Sequence, residues 1–110
     1  MYLSGNKEQA MPVTLSTSVN STRIYLSGEF DFASQEELKQ VFDKAIAAAP
    51  PAIQLDLQKA TFIDSSVIRM FLKLNDAARK NKKSLTLLNC NERIYEIFTI
   101  GGFDQVFDIQ

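Results

Sequence analysis

Twice in this chain a helical stripe of apolar residues stands between two segments of strand-like alternation. That order constrains the fold more than any other feature. The first stripe is Leu38, Val41, Phe42, Ala45, Ile46 and Ala49. The second is Val67, Met70, Phe71, Leu74, Ala77 and Ala78. Steps of three and four place such residues on one face of a helix. Ahead of the first stripe, Val13, Leu15, Thr17 and Val19 alternate with polar residues, and Ile24 and Leu26 then do the same. Between the stripes stand Ile53, Leu55 and Leu57, separated by Gln54 and Asp56, and after the second comes Ser84–Leu88. Alternation of this kind predicts strands with one dry face.

Punctuation supports the division. Asn20-Ser21 suits a turn, so the first two strands are expected to form an antiparallel hairpin. Gly28–Phe32 is expected to break the second strand. Ser34 with Glu37 three residues later reads as a capping box opening the first helix, and Pro50-Pro51 stops it. Asn91 or Asn89 is expected to cap a short third helix carrying Ile94, Ile97 and Phe98. Gly101-Gly102 can end it, because glycine takes positive φ freely. Phe103, Val106, Phe107 and Ile109 are expected to complete the core in a last helical turn or strand.

The resulting order is β-β-α-β-α-β-α and a short final element. It predicts an α/β fold: a mixed sheet of about four to five strands, partly parallel through β-α-β crossovers, packed against helices. Length allows one domain. Residues 1–11 are polar and without period and read as a tail or extension; residues 12–110 form the domain.

Several functions are disfavoured. Twelve Lys and Arg against 13 Asp and Glu give a net charge of −1, so the strong positive field of a general nucleic-acid binder is missing. The basic cluster Arg79, Lys80, Lys82 and Lys83 falls at a helix end, where cations are favoured. No run of about 20 apolar residues can form a membrane span, and no signal segment opens the sequence, so membrane insertion is not expected. Cys90 is the single cysteine, which points to the cytoplasm. The chain has no histidine. The commonest general base and the usual nucleophile pairs are therefore missing, and an enzyme is not expected. Neither a cofactor nor a metal site is expected.

Right-handed crossovers make the strands ending near Ser27, Leu57 and Leu88 parallel. Loops 28–32, 61–66 and 89–91 should then meet at one sheet edge, the usual place for a site in open α/β sheets. This brings Asp31 and Asp64 into one neighbourhood, with Ser65 between strand edge and helix. The bland reading makes Asp64 or Ser65 an N-cap, and Asp31 a cap of the preceding turn. A second reading is a metal or phospho-acceptor pocket of Asp31, Asp56 and Asp64, as in an aspartate-phosphorylated receiver, but Asp56 lies inside a strand and no lysine is suitably placed. Phosphate-loop glycine patterns are missing. A third reading is a phosphorylatable hydroxyl, Ser65 or Ser66. The helix N-terminus would stabilise the added anion while Asp64 and Asp31 oppose it.

Three segments carry a family resemblance. Gly28-Glu29-Phe30-Asp31-Phe32-Ala33 followed by Glu36-Glu37-Leu38 resembles the "GELD…A…EL" segment of the STAS domain. Leu55-Asp56-Leu57 through Phe62-Ile63-Asp64-Ser65-Ser66 resembles its "LDL…FIDSSG" segment, and Gly101–Phe107 its closing "tGLdkvf". The resemblance runs from about Val13 to Ile109 and is to free-standing bacterial anti-sigma-factor antagonists. It implies the mixed-sheet fold described above. It also implies an anti-sigma factor that is a serine kinase as partner, ATP-dependent phosphorylation of the serine after the motif aspartate, and a serine phosphatase that resets it. Carried over, the acceptor is Ser65, with Ser66 second to it. Asp31, Asp64, Ser65, Ser66 and Val67 would form the docking surface. Val67 stands where the family carries glycine, so a firmer helix and a different partner surface are expected. Other settings of the domain are a subunit of a signalling scaffold or of an envelope lipid-transport complex, with no phosphorylation cycle. A place appended to an anion transporter is not expected, because no membrane segment precedes the domain.

Overall fold

The computed structural model describes residues 12–110; the expected N-terminal tail lies outside them. Five strands form one sheet in the order β1-β2-β3-β4-β5. They are β1 (Val13–Thr17), β2 (Ser21–Phe30), β3 (Ala52–Ile63), β4 (Ser84–Leu88) and β5 (Asp108–Ile109). The first pair is antiparallel and the other three pairs are parallel. Three helices connect the parallel strands: α1 (Gln35–Ala47), α2 (Ser65–Lys80) and α3 (Glu92–Ile100). Because the strands follow one another in order, right-handed crossovers lay all three helices on one face.

The core lies between that face and the helices. Ile24, Leu26, Ile53, Leu55, Leu57 and Leu87 are buried from the sheet side, and Leu38, Phe71, Ile94 and Phe98 from the helix side. Four rings run through it in a chain, Phe42 to Phe71 to Phe98 to Phe107, with centroids 5.9, 6.5 and 5.6 Å apart. They tie α1, α2, α3 and the turn before β5 together at separations favourable for offset and edge contacts.

Strand β3 carries the main irregularity. It keeps to alternation through Ile53, Leu55 and Leu57, and then its buried residues are Ala60 and Ile63, steps of three. The register explains this. Tyr25 pairs with Asp56 and Phe30 with Ile63, so five steps along β2 face seven along β3. Two bulges in β3 take up the surplus, and each moves the inward phase by one residue. Glycine serves β2 here, since Gly28 holds φ +93 in the middle of the strand. The strand is therefore not broken at Gly28 as the sequence suggested; it runs on to Phe30.

Other expectations also shift. The hairpin turn is Ser18–Ser21, closed by a 2.8 Å bond from the Ser18 N–H to the Ser21 carbonyl. Val19 sits in that turn, 90% exposed, rather than in the core. Val106 is likewise exposed, whereas Phe107 is buried. Ser34 makes no side-chain cap on α1. Its Oγ instead accepts from the Asp31 N–H at 3.1 Å, closing a single 3-10 turn, Phe32–Ser34, that Asp31 caps. Lys83 serves α1 rather than the end of α2, donating to the Ala48 and Pro50 carbonyls at 2.6 and 2.8 Å.

Candidate functional site

Strands β2 and β3 reach past their neighbours. β4 ends where Leu88 pairs with Asp56, and β1 begins where Val13 pairs with Leu26. Beyond those pairs only Ser27–Phe30 and Leu57–Ile63 continue among the described residues. Asp31 and Asp64 stand at the tip. The Asp64 N–H donates to the Phe30 carbonyl at 3.1 Å, which fixes the two loops side by side.

Asp64 is the N-cap of α2. Its Oδ1 accepts from the Val67 N–H at 3.0 Å and from Ser66 Oγ at 2.7 Å. The Ser66 bond, joined by the N–H groups of Val67, Ser66 and Phe32, outweighs partial burial and holds this carboxyl below its ordinary value of 3.8. The Phe32 N–H comes from the Asp31 loop, so Asp64 joins both sides of the tip.

The two serines differ. Ser66 is half-buried and its hydroxyl is committed to Asp64. Ser65, the first residue of α2, is exposed, and no hydrogen bond to its hydroxyl occurs among the described residues. Val67 is fully buried and belongs to the core. Its side chain presents nothing to a partner; its N–H completes the cap. Two aromatic rings flank the tip, Phe32 at 66% and Phe62 at 44% exposure. Sequence reasoning did not single them out as surface. The available signal was Phe62 beside Ile63, two large apolar residues in a strand that can bury only one of them.

The third loop is not at the tip. Asn89 donates to Asp56 Oδ2 at 3.0 Å, at the level where β4 stops. Asp56 lies seven residues before the end of β3, roughly 20 Å away at the usual rise per residue. Its carboxylate is already engaged by Asn89, by the Gln58 N–H at 3.0 Å and by Arg23 at 3.8 Å. Asp31, Asp56 and Asp64 therefore form no common pocket. Among the described residues no cluster of acidic or cysteine side chains has the form of a metal site. Asn91, not Asn89, caps α3, its Oδ1 accepting from the Ile94 N–H at 3.0 Å. The Asn91 amide donates to the carbonyls of Leu57, Gln58 and Ala60 at 3.3, 3.2 and 2.7 Å. It satisfies the bulged stretch of β3 that β4 leaves unpaired.

The family model described as "Mlab, STAS domain" matches residues 13–109. The chain belongs to the STAS family. A STAS-domain containing protein of Pseudomonas aeruginosa (strain UCBPP-PA14) is 33% identical over 86 residues, covering 78% of this chain and 84% of its own. An anti-sigma-B factor antagonist of Listeria monocytogenes is 21% identical over 87 residues, covering 79% and 76%. Among solved structures, an anti-sigma factor antagonist from Mycobacterium paratuberculosis superposes with TM-score 0.78 at 18% identity, over 88% of this chain and 82% of that one. The anti-sigma factor antagonist SpoIIAA in its unphosphorylated form gives 0.75 at 21% identity, over 89% and 87%. The STAS sheet and helices described above are thus shared with these structures. No helix of this STAS domain is long and apolar enough to cross a membrane among the described residues.

Proposed function

We propose that this STAS protein is an anti-sigma-factor antagonist whose binding is switched off by phosphorylation of Ser65. The observation that carries the reading is the contrast at the start of α2: Ser65 offers an exposed hydroxyl without a described partner, while Ser66 is tied to Asp64 at 2.7 Å. Relatives named as anti-sigma-B factor antagonists support it. So does the likeness in fold to SpoIIAA, solved in unphosphorylated and phosphorylated forms.

The partner would be a cytoplasmic anti-sigma factor acting as a serine kinase, with a serine phosphatase for the return step. Asp31, Asp64, Ser65 and Ser66 would lie in the docking surface, with Phe32 and Phe62 as its apolar part. Val67 would contribute only through the firmness of the helix. Phosphorylation adds a charge of about −1.5 to −2 and three acceptor oxygens. At a helix N-terminus the fold tolerates that anion. An interface formed around a neutral hydroxyl does not, so the switch acts on binding rather than on folding. The kinase supplies the chemistry; this chain supplies the hydroxyl, and the domain itself is a binding module.

The test is intact-mass analysis after incubation with the cognate kinase and ATP. One added phosphate in the wild type and in Ser66→Ala, and none in Ser65→Ala, is the expected result. Unchanged mass with an active kinase would sink the acceptor assignment.

A second reading is favoured by one feature, the buried Val67 in the motif's glycine position. It makes the chain an adaptor subunit of a signalling scaffold or envelope lipid-transport complex, with no serine cycle. Pull-downs with wild type, Ser65→Ala and Ser65→Glu separate the two. Loss of a kinase-like partner only with Ser65→Glu favours the switch, and the same partners with all three favour the adaptor.

A further inference from the structure

On α2, Ser65, Arg69 and Lys73 follow one another at intervals of four and so share one row of the helix. Arg69 and Lys73 line a groove between α1 and α2, together with Lys39, Asp43, Glu36 and Met70. The groove's other charges are partly committed. Lys39 pairs with Asp43 at 2.9 Å. Arg69 is exposed and makes neither an ion pair nor a side-chain hydrogen bond among the described residues. Glu36, on the facing helix, is not paired with it in that set.

Residues four apart on a helix have Cβ atoms about 5–6 Å apart, and the order acid first, base second is the favourable one. Helical side chains also lean toward the N-terminus. A guanidinium at Arg69 can therefore reach back to a phosphate on Ser65, and its fork of donors matches phosphate oxygens. Lys73, eight residues on, lies about 12 Å along the axis and is too far to do the same. Asp64 sits beside Ser65 as an anion, and a nearby cation would add to the helix N-terminus in offsetting its repulsion of a phosphate there.

We infer that Arg69 is the intramolecular counter-ion of phosphorylated Ser65, and that phosphorylation thereby withdraws the Arg69 charge from the groove between α1 and α2. This rests on Ser65 being the acceptor. It assigns Arg69 a role in the modified state that the unmodified domain does not use. The groove, lined by Lys39, Arg69 and Lys73 against Glu36 and Asp43, then becomes less positive when Ser65 is modified.

The experiment uses the full chain with phosphoserine encoded at position 65 and a phosphorus NMR titration of the phosphate. Its second pKa is ordinarily near 6. Arg69→Gln is expected to raise it by a few tenths of a unit, the scale of an i, i+4 pair. Arg69→Lys should recover most of the difference, and Lys73→Gln should not reproduce it. In about 1 M salt, where screening acts within ~3 Å, the gap between wild type and Arg69→Gln should shrink. An Arg69→Gln shift that is zero, or no larger than that of Lys73→Gln, overturns the assignment. Because the phosphate is installed during synthesis, the titration does not depend on any kinase. A kinase that leaves Ser65 unmodified by intact mass would overturn the acceptor reading alone.

Discussion

Ser66 Oγ donates to Asp64 Oδ1 at 2.7 Å, and this one bond commits the second of two adjacent hydroxyls while the first has no partner among the described residues. It also depresses the Asp64 carboxyl more than any other group does. Ser66→Ala should therefore move the Asp64 pKa upward, toward its ordinary value of 3.8, as followed by carboxyl NMR titration. The folded carboxyl is depressed, so its contribution to stability is complete above the unfolded value. That contribution is lost as pH falls through the folded one. The variant should lose part of this acid-sensitive stability and keep the rest. An unchanged Asp64 titration would mean that the backbone donors alone hold the carboxylate.

Removing the cap itself should cost more. Asp64→Ala leaves the start of α2 without its side-chain acceptor and should cost about 1 kcal/mol by denaturant unfolding. Ser65→Ala removes no described hydrogen bond and should change stability by less than about 0.5 kcal/mol, as surface substitutions do. A larger loss in Ser65→Ala than in Asp64→Ala would make Ser65 the structural residue of the pair.

Asn91 should be among the costliest polar positions. Asn91→Ala removes the α3 cap, worth about 1 kcal/mol, and strips the amide from the partly buried carbonyls of Leu57 and Ala60 as well as the exposed one of Gln58, where an unsatisfied buried group costs about 1–3 kcal/mol. Asn91→Asp keeps the cap oxygen and loses the donor. If the clamp on β3 matters, Asn91→Asp should resemble Asn91→Ala in urea unfolding; if only the cap matters, it should resemble the wild type.

Cys90 should be a slow thiol. Burial, and secondarily the charge of Asp56, push it up to about 11 from 9.0. Reaction with a disulfide reagent at pH 8 should be much slower than that of the unfolded chain, since the thiolate is the reactive form. Between pH 9.0 and about 11 the unfolded thiol loses its proton and the folded one keeps it, so stability should fall with rising pH there. Equal rates in folded and unfolded protein would refute the burial.

Thr22 is a site for stabilisation. It is fully buried, and its hydroxyl has no hydrogen-bond partner among the described residues. Thr22→Val keeps the shape and removes the stranded group, so a gain of up to about 1 kcal/mol is expected. A loss in thermal unfolding would show that the hydroxyl has a partner in solution.

The sequence disclosed the order of elements, the hairpin and the meeting of Asp31 with Asp64. Each follows from periodicity and crossover handedness, which act locally or by rule. It did not disclose where β3 ends. Alternation stops after Leu57 because two bulges change the inward step to Ala60 and then Ile63, and bulges are set by pairing with β2 rather than by β3 alone. Crossover handedness puts the loop at Asn89 on the same sheet edge but does not show that β4 stops opposite Asp56, short of the tip. Asn91 was legible as a cap but not as a clamp, since its amide answers carbonyls more than 30 residues away. Ser34 fitted a capping box with Glu37, yet the nearer Asp31 N–H captured its hydroxyl.

The two-stranded extension has a mechanical meaning. Ser65 rides at the end of an arm, away from the middle of the sheet where five strands and the phenylalanine chain concentrate cohesion. A charge added at the end of that arm does little work against the body that carries it. Under the proposed Ser65 switch, such a domain would be marked and cleared repeatedly with its scaffold unaltered, the information residing in the arm and the durability in the trunk.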